Sequence, residues 1–164
     1  MKLLALDQAS KTTGYSLFEE ENLSEYNQFS ISSSLSLGGR LSSFWDKLND
    51  LYEKYNFNRI VFEDIQLQAG NVKTYKMLAM IQAIIILWCD KEKIEYEIYS
   101  PSHWRKILKE KFSIVWGRKR QEQKQAAIDF VIQNEGKEVS SDIADSICLG
   151  RAYITENKKE KGAF

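Results

Sequence analysis

Four acidic side chains in this chain stand where acids do nothing for a hydrophobic core. Asp7 follows the apolar run Leu3-Leu4-Ala5-Leu6, and Glu63 follows Ile60-Val61-Phe62. Both runs read as buried strands, and an acid at a strand's carboxyl end points into the crevice where an open α/β sheet binds its ligands. Asp142 and Asp145 lie three apart in Ser140-Ser141-Asp142-Ile143-Ala144-Asp145, so a helix presents them on one face. Asp142 alone suits a helix amino terminus, where an acid opposes the helix dipole. Asp145 sits about a turn deeper among apolar neighbours, and the dipole explains it less well.

Carboxylates gathered together repel one another and repel phosphate. They make chemical sense with hard divalent cations, which take oxygen ligands. Two such ions about 3.5–4 Å apart can activate a water and stabilise the leaving oxygen of a phosphodiester. Other hydrolytic chemistries are poorly served. The chain has one histidine, His103, and two cysteines, Cys89 and Cys148, each in an apolar helical context without a CxxC spacing. The cysteines read as buried free thiols, and His103 as structural.

The elements that must position these acids follow from periodicity. Residues 2–7, a strand around Tyr15–Phe18 and a third between Leu23 and Ile31 form an antiparallel meander. Ser30 to Gly39 reads as a loop, and Gly14 as a turn residue between the first two strands. Thr12 and Thr13 would then line the mouth of the site. A helix is predicted over about 41–55, then the Glu63 strand, a long buried helix over about 72–91 and a fifth strand over 94–99. A short helix (102–110), a basic helix (118–133, stopped by Gly136) and a last helix from Ser140 or Ser141 to about Glu156 complete the order βββ-α-β-α-β-α-α-α. The expectation is a mixed five-stranded sheet with helices on both faces. A single domain over residues 1–157 and a frayed, flexible tail over 158–164 are expected.

Of the 164 residues, 43% are apolar, and the formal net charge is zero. No secretory signal is evident. The longest apolar stretch, Ile81–Cys89, interrupted by Gln82, is far shorter than the roughly 20 residues of a membrane span, so a cytoplasmic protein is expected. The neutral total hides an asymmetry. Residues 1–70 carry six basic and ten acidic side chains, whereas residues 101–125 carry eight basic and two acidic ones. Such a stripe can be a footprint for nucleic acid, or simply a solvated helix face. Trp45, Trp88 and Trp104 read as core or interface residues, while Trp116, beside Gly117 and the basic helix, could be either core or a stacking platform.

Taken together, ALDQASKTTGYSLF, IVFED and VSSDIADSICLGRAY resemble the RuvC-type Holliday junction resolvases of the RNase H-like superfamily, with greatest likeness to the short phage-encoded members. The resemblance runs from about Leu3 to Tyr153. It implies an RNase H-like βββαβαβ core, and a structure-selective endodeoxyribonuclease that cuts Holliday junctions and other branched DNA to leave 5′-phosphates. It implies Asp7, Glu63, Asp142 and Asp145 as ligands of two Mg²⁺ ions, with Mn²⁺ a possible substitute. It places basic residues near the scissile phosphate, which fall here on Arg118, Lys119, Arg120 and Lys124, with Lys119 the single choice for a catalytic role. Lys73 joins them as a DNA-binding candidate. The family acts as a homodimer, through the helix around Tyr75–Trp88. Where the bacterial enzymes carry an aromatic wedge after the glutamate, this chain has Asp64-Ile65-Gln66-Leu67-Gln68, so Leu67 is the candidate wedge. Asp64 would orient the Glu63 loop or simply be exposed.

The main alternative keeps fold and metals and changes the substrate: an RNase H-like or YqgF-type ribonuclease acting on RNA or an RNA–DNA hybrid. A sugar-kinase or actin-like ATPase would need a second lobe and glycine-rich phosphate loops, for which Gly38-Gly39 is the one short candidate. A non-enzymatic junction-binding protein would have no use for four acids facing phosphate.

Overall fold

Strand β1 (Lys2–Asp7) lies at the middle of a five-stranded sheet of order β3-β2-β1-β4-β5. It pairs antiparallel with β2 (Thr12–Glu19), which pairs antiparallel with β3 (Asn22–Ser30). On its other side β1 pairs parallel with β4 (Arg59–Glu63), which pairs parallel with β5 (Glu95–Tyr99). The computed structural model describes residues 1–66 and 71–161.

Side-chain parity divides the core. Leu4 and Leu6 of β1, with Ile60 and Phe62 of β4, pack against α1 (Leu37–Tyr55) and α2 (Val72–Glu92). Leu3 and Ala5, with Val61 and Phe18, pack against α3 (Pro101–Phe112), α4 (Arg120–Glu135) and α5 (Ser141–Lys161). Alternation therefore sends Asp7 and Glu63, two residues beyond Ala5 and Val61, to the α5 side of the sheet. The last registered pair between these strands is Leu6↔Phe62, so both acids sit one residue past it, at the same end.

The expected order of elements, the mixed sheet and the helices on both faces are present. Three local features differ. Helix α1 begins at Leu37 and takes in Gly38 and Gly39, because the Ser36 hydroxyl accepts from Gly39 N at 3.1 Å and caps it. Strand β2 begins at Thr12, so Gly14 is a mid-strand residue rather than a turn residue, and its φ is not positive. Helix α5 continues to Lys161, past the point where frayed chain was expected, and Lys158 pairs with Glu21.

Helix α2 carries too little polarity for a helix with one wet face. Met77, Ile81, Ile85, Trp88 and Cys89 are buried under α1 and the sheet. Yet Val72, Met80 and Leu87, with Ala83, lie along the outer face and stay exposed. With a mean hydropathy of 1.4, α2 is long and apolar enough by composition to cross a membrane, even though its unbroken apolar run is short.

Candidate active site

Asp7, Glu63, Asp142 and Asp145 line one cavity of about 550 Å³ at the carboxyl ends of β1 and β4. Three chain segments supply them, and each is fixed locally. Asp7 lies opposite Gly14 in the β1–β2 register. Glu63 is tied to the neighbouring loop by Gln8, which donates to the Glu63 carbonyl and accepts from Glu63 N at 3.2 Å. Helix α5 starts beyond Ser140, whose hydroxyl oxygen accepts from Ile143 N at 3.4 Å. The three-residue spacing then turns Asp142 and Asp145 toward the same cavity.

Electrostatics show that the acids share one environment. The Asp7 carboxyl is held well above the ordinary carboxylate range by burial, then by the charges of Asp145, Glu63 and Asp142. Asp145 is pushed up to about 7 by burial and by Glu63, against the opposing pull of Arg105 and Lys124. Glu63 is also raised by burial, while the Trp104 hydrogen bond, Arg105 and Arg120 lower it. Raised values on mutually repelling carboxylates mark a cluster that needs positive charge to be fully ionised.

Two contacts already engage the acids. Trp104 Nε1 donates to Glu63 Oε2 at 2.7 Å, and Lys124 Nζ stands 3.6 Å from Asp142 Oδ1 while donating to Ser141 Oγ at 3.0 Å. Among the described residues, no three such side chains converge closely enough in this arrangement to hold an ion. The donor set itself is all oxygen, as Mg²⁺ or Mn²⁺ requires, so donor chemistry fits and side-chain convergence is what a cation would have to supply.

The basic residues do not share one position. Arg118, Arg120 and Lys124 line the cavity. Lys119 is exposed at the amino-terminal cap of α4, and Lys73 is exposed on the first turn of α2; neither lines the cavity. The start of α4 is set by Glu122, whose Oε2 accepts from Arg118 N and Lys119 N, both at 2.9 Å. Leu67 lies outside the described residues.

Three functional side chains escaped the sequence reading. Trp104 is buried as expected of a core residue, yet its N–H grips a site carboxylate. Arg105 lines the cavity, with its guanidinium 4.8 Å from the Trp104 ring centre and 5.9 Å from that of Trp116. Its Nε is buried without a hydrogen-bond partner among the described residues. Gln8 straps the loop after Asp7 to the end of β4. The signal for Arg105 was its place next to Trp104 in the basic stretch, but nothing in the periodicity told its face.

The remaining candidates have structural places. Trp116 is buried edge-on against Trp104 and donates to the Arg105 carbonyl at 2.9 Å, so it is no stacking platform. Thr13 Oγ1 accepts from Ala9 N at 3.2 Å and Thr12 Oγ1 meets Ser30 Oγ at 2.9 Å; these threonines brace the loop and do not line the cavity. Asp64 is exposed and accepts from Ile65 N at 2.9 Å. His103 meets Glu156 at 3.1 Å, and both cysteines are buried and free.

A β3-β2-β1-β4-β5 sheet, with acids from β1, β4 and the last helix meeting at one end, makes this an α/β protein of RNase H-like fold with an acidic cleft. The family model for crossover junction endodeoxyribonuclease RuvC matches residues 3–152. The chain belongs to the RuvC family, whose members are metal-dependent nucleases. It is 28% identical over 159 residues to the crossover junction endodeoxyribonuclease RuvC of Dictyoglomus thermophilum, covering 94% of this chain and 96% of that one. It is 24% identical over 162 residues to the enzyme of the same name from Finegoldia magna, covering 96% and 95%. Its fold is similar to that of Thermus thermophilus RuvC in complex with a Holliday junction substrate (TM-score 0.75, 10% identity, 97% of this chain and 96% of that one). It is also similar to Fowlpox virus resolvase in complex with Holliday junction DNA (TM-score 0.64, 16% identity, 96% and 99%).

Proposed function

We propose that the chain resolves four-way DNA junctions, and cuts related branched DNA, by metal-dependent hydrolysis at the Asp7–Glu63–Asp142–Asp145 cluster. One observation carries this reading. The four carboxylates of the cluster, with Asp64 beside them, and the cationic side chains of Arg105, Arg118, Arg120 and Lys124 line the same open cavity. The cations suit a phosphate backbone, and the carboxylates suit the metal that its hydrolysis uses. Relatives over nearly the whole chain bear the name of crossover junction endodeoxyribonucleases.

Asp7, Glu63, Asp142 and Asp145 would hold two Mg²⁺ ions, which Mn²⁺ can replace. Bound there, the ions supply a more acidic water and neutralise charge at the phosphorus. Water adds at phosphorus and the P–O3′ bond breaks, giving a 5′-phosphate and a 3′-hydroxyl. Trp104 keeps Glu63 aimed, as partners behind a metal ligand do. Lys124 sits beside Asp142, where its ammonium can leave the carboxylate and meet the phosphate once a cation takes its place. Arg105, Arg118 and Arg120 clamp the backbone, with Arg105 backed by two indole rings.

A second copy of the chain is the partner that suits α2. The exposed residues Met80, Ala83 and Leu87 recur at three- and four-residue spacing, with Val72 eight residues before Met80, so the stripe can pack against its own symmetry mate. Paired nicks of like polarity across a junction also call for two sites. Met80→Lys with Leu87→Asp should give a monomer by light scattering; an unchanged dimer would remove α2 from the interface.

Purified protein with Mg²⁺ should be given a synthetic four-way junction, linear duplex DNA and an RNA–DNA hybrid, with the ends mapped. Paired nicks bearing 5′-phosphates in the junction are expected. Preferential cutting of the hybrid would replace this reading with a ribonuclease.

A further inference from the structure

We infer that Gly14 is a positioning residue for the acid cluster, its bare Cα letting the first turn of α5 rest on β2 so that Asp142 and Asp145 reach Asp7. The inference rests on the metal-binding reading of the cluster given above.

Gly14 is in register with Asp7 across the β1–β2 pair. On the α5 side of the sheet, a Cβ at Gly14 would lie 2.1 Å from the Asp142 carbonyl oxygen, 2.4 Å from its carbonyl carbon and 2.9 Å from Ile143 N. All three are backbone atoms of the helix start, and none can swing aside as a side-chain tip could. One residue thus touches the strand that supplies Asp7 and the helix turn that supplies Asp142. The glycine is not there for backbone freedom, since the positive-φ glycines of the described chain are Gly117 and Gly136.

Further along the same seam, a Cβ at Gly150 would fall 2.2 Å from the buried Phe18 ring. Helix α5 therefore rests on β2 through hydrogen-only contacts at two points, with buried Ser16 and Ser146 between them. A methyl at position 14 must lift the amino-terminal end of α5 by the order of an ångström, and a shift of that size at a reacting centre can cost about a hundredfold in rate. The Asp142 and Asp145 carboxylates move with the helix, whereas Asp7 and Glu63 stay with the sheet.

The test compares wild type, Gly14→Ala and Leu48→Ala. Leu48 is fully buried on α1 at the opposite face, so its truncation lowers stability without touching the cluster. Mn²⁺ binding is read by electron paramagnetic resonance, and cleavage by initial rates over a range of junction and metal concentrations, all below the melting temperatures. For Gly14→Ala, Mn²⁺ affinity should fall about tenfold or more and kcat about a hundredfold, with KM for the junction within about twofold of wild type. Leu48→Ala should keep all three near wild type. Equal Mn²⁺ binding and kcat in Gly14→Ala and wild type would overturn the positioning role while leaving the metal reading intact. Absence of Mn²⁺ binding in wild type itself would overturn the metal reading, and the positioning role with it. A Gly14→Ala chain that folds at no temperature, beside a folded Leu48→Ala chain, would make Gly14 a requirement of the fold and likewise overturn the proposal.

Discussion

The Trp104 indole N–H donates to Glu63 Oε2 at 2.7 Å, across 41 residues of chain, and joins the buried core of α3 directly to a site carboxylate. The bond favours the ionised form of Glu63, opposing the burial that raises it. Trp104→Phe keeps the ring packed against Trp116 and removes only the donor. We expect cutting to fall about 10–100-fold, the usual cost of losing a partner behind a metal ligand. Saturating metal should recover part of the loss. Steady-state rates against Mg²⁺ concentration check this, and an unchanged metal dependence would leave Trp104 a packing residue.

Burial, and then the charges of Asp145, Glu63 and Asp142, raise the Asp7 carboxyl, and its replacement separates binding from cutting. Asp7→Asn should reduce cleavage on the order of a thousandfold, several kcal/mol of lost transition-state stabilisation. Junction binding without metal should hold or improve, because one charge facing phosphate is gone. Gel-shift and cleavage assays on the same preparation decide it; wild-type cutting would remove Asp7 from the site.

The metal-free protein should lose stability as pH rises. Folded Asp145 titrates at about 7 and its ordinary value is 3.8, so between these the folded state binds more protons than the unfolded state. Stability is then fully present below about 4 and falls as pH climbs to about 7, with Asp7 acting in the same direction. Divalent metal should offset the loss, and Asp145→Asn should raise the melting temperature of metal-free protein at pH 8. Thermal melts from pH 4 to 8, with and without Mg²⁺, test this; a rise in stability over that window would contradict it.

Arg105 should matter more than Lys119. Arg105 lines the cavity with its guanidinium beside two indoles, whereas Lys119 is an exposed cap residue. A charged hydrogen bond to phosphate is worth about 1.5–3 kcal/mol, or roughly ten- to hundredfold in rate for Arg105→Ala. Arg105→Lys should recover only part, lacking the planar fork. For Lys119→Ala we expect less than about a fivefold effect, as for an exposed charge. The reverse order in single-turnover rates would restore Lys119 to the reacting phosphate.

The parts of the site carried by local pattern were legible from the chain alone. Continuous apolar runs ending in acid placed Asp7 and Glu63 at the carboxyl ends of two buried strands, and the three-residue spacing in α5 paired Asp142 with Asp145. The parts made by one element crossing another were not. Trp104 looks like any core tryptophan until α3 is laid across the end of β4. Gly14 reads as a turn glycine until α5 is seated on it. Among the basic residues, the sequence shows charge but not rotation, and on α4, whose start Glu122 caps, Arg120 and Lys124 line the cavity whereas Lys119 does not.

The most direct measurement is anomalous scattering from crystals of the Asp145→Asn protein and of wild type, each grown with a four-way junction and Mn²⁺. In wild type we expect Mn²⁺ bound by oxygens of Asp7, Glu63, Asp142 and Asp145, with Lys124 withdrawn from Asp142, and at least one ion lost in the variant. Manganese found elsewhere, or Lys124 still paired with Asp142 and the four carboxylates sharing no ion with a cut junction in place, would contradict catalysis by this cluster.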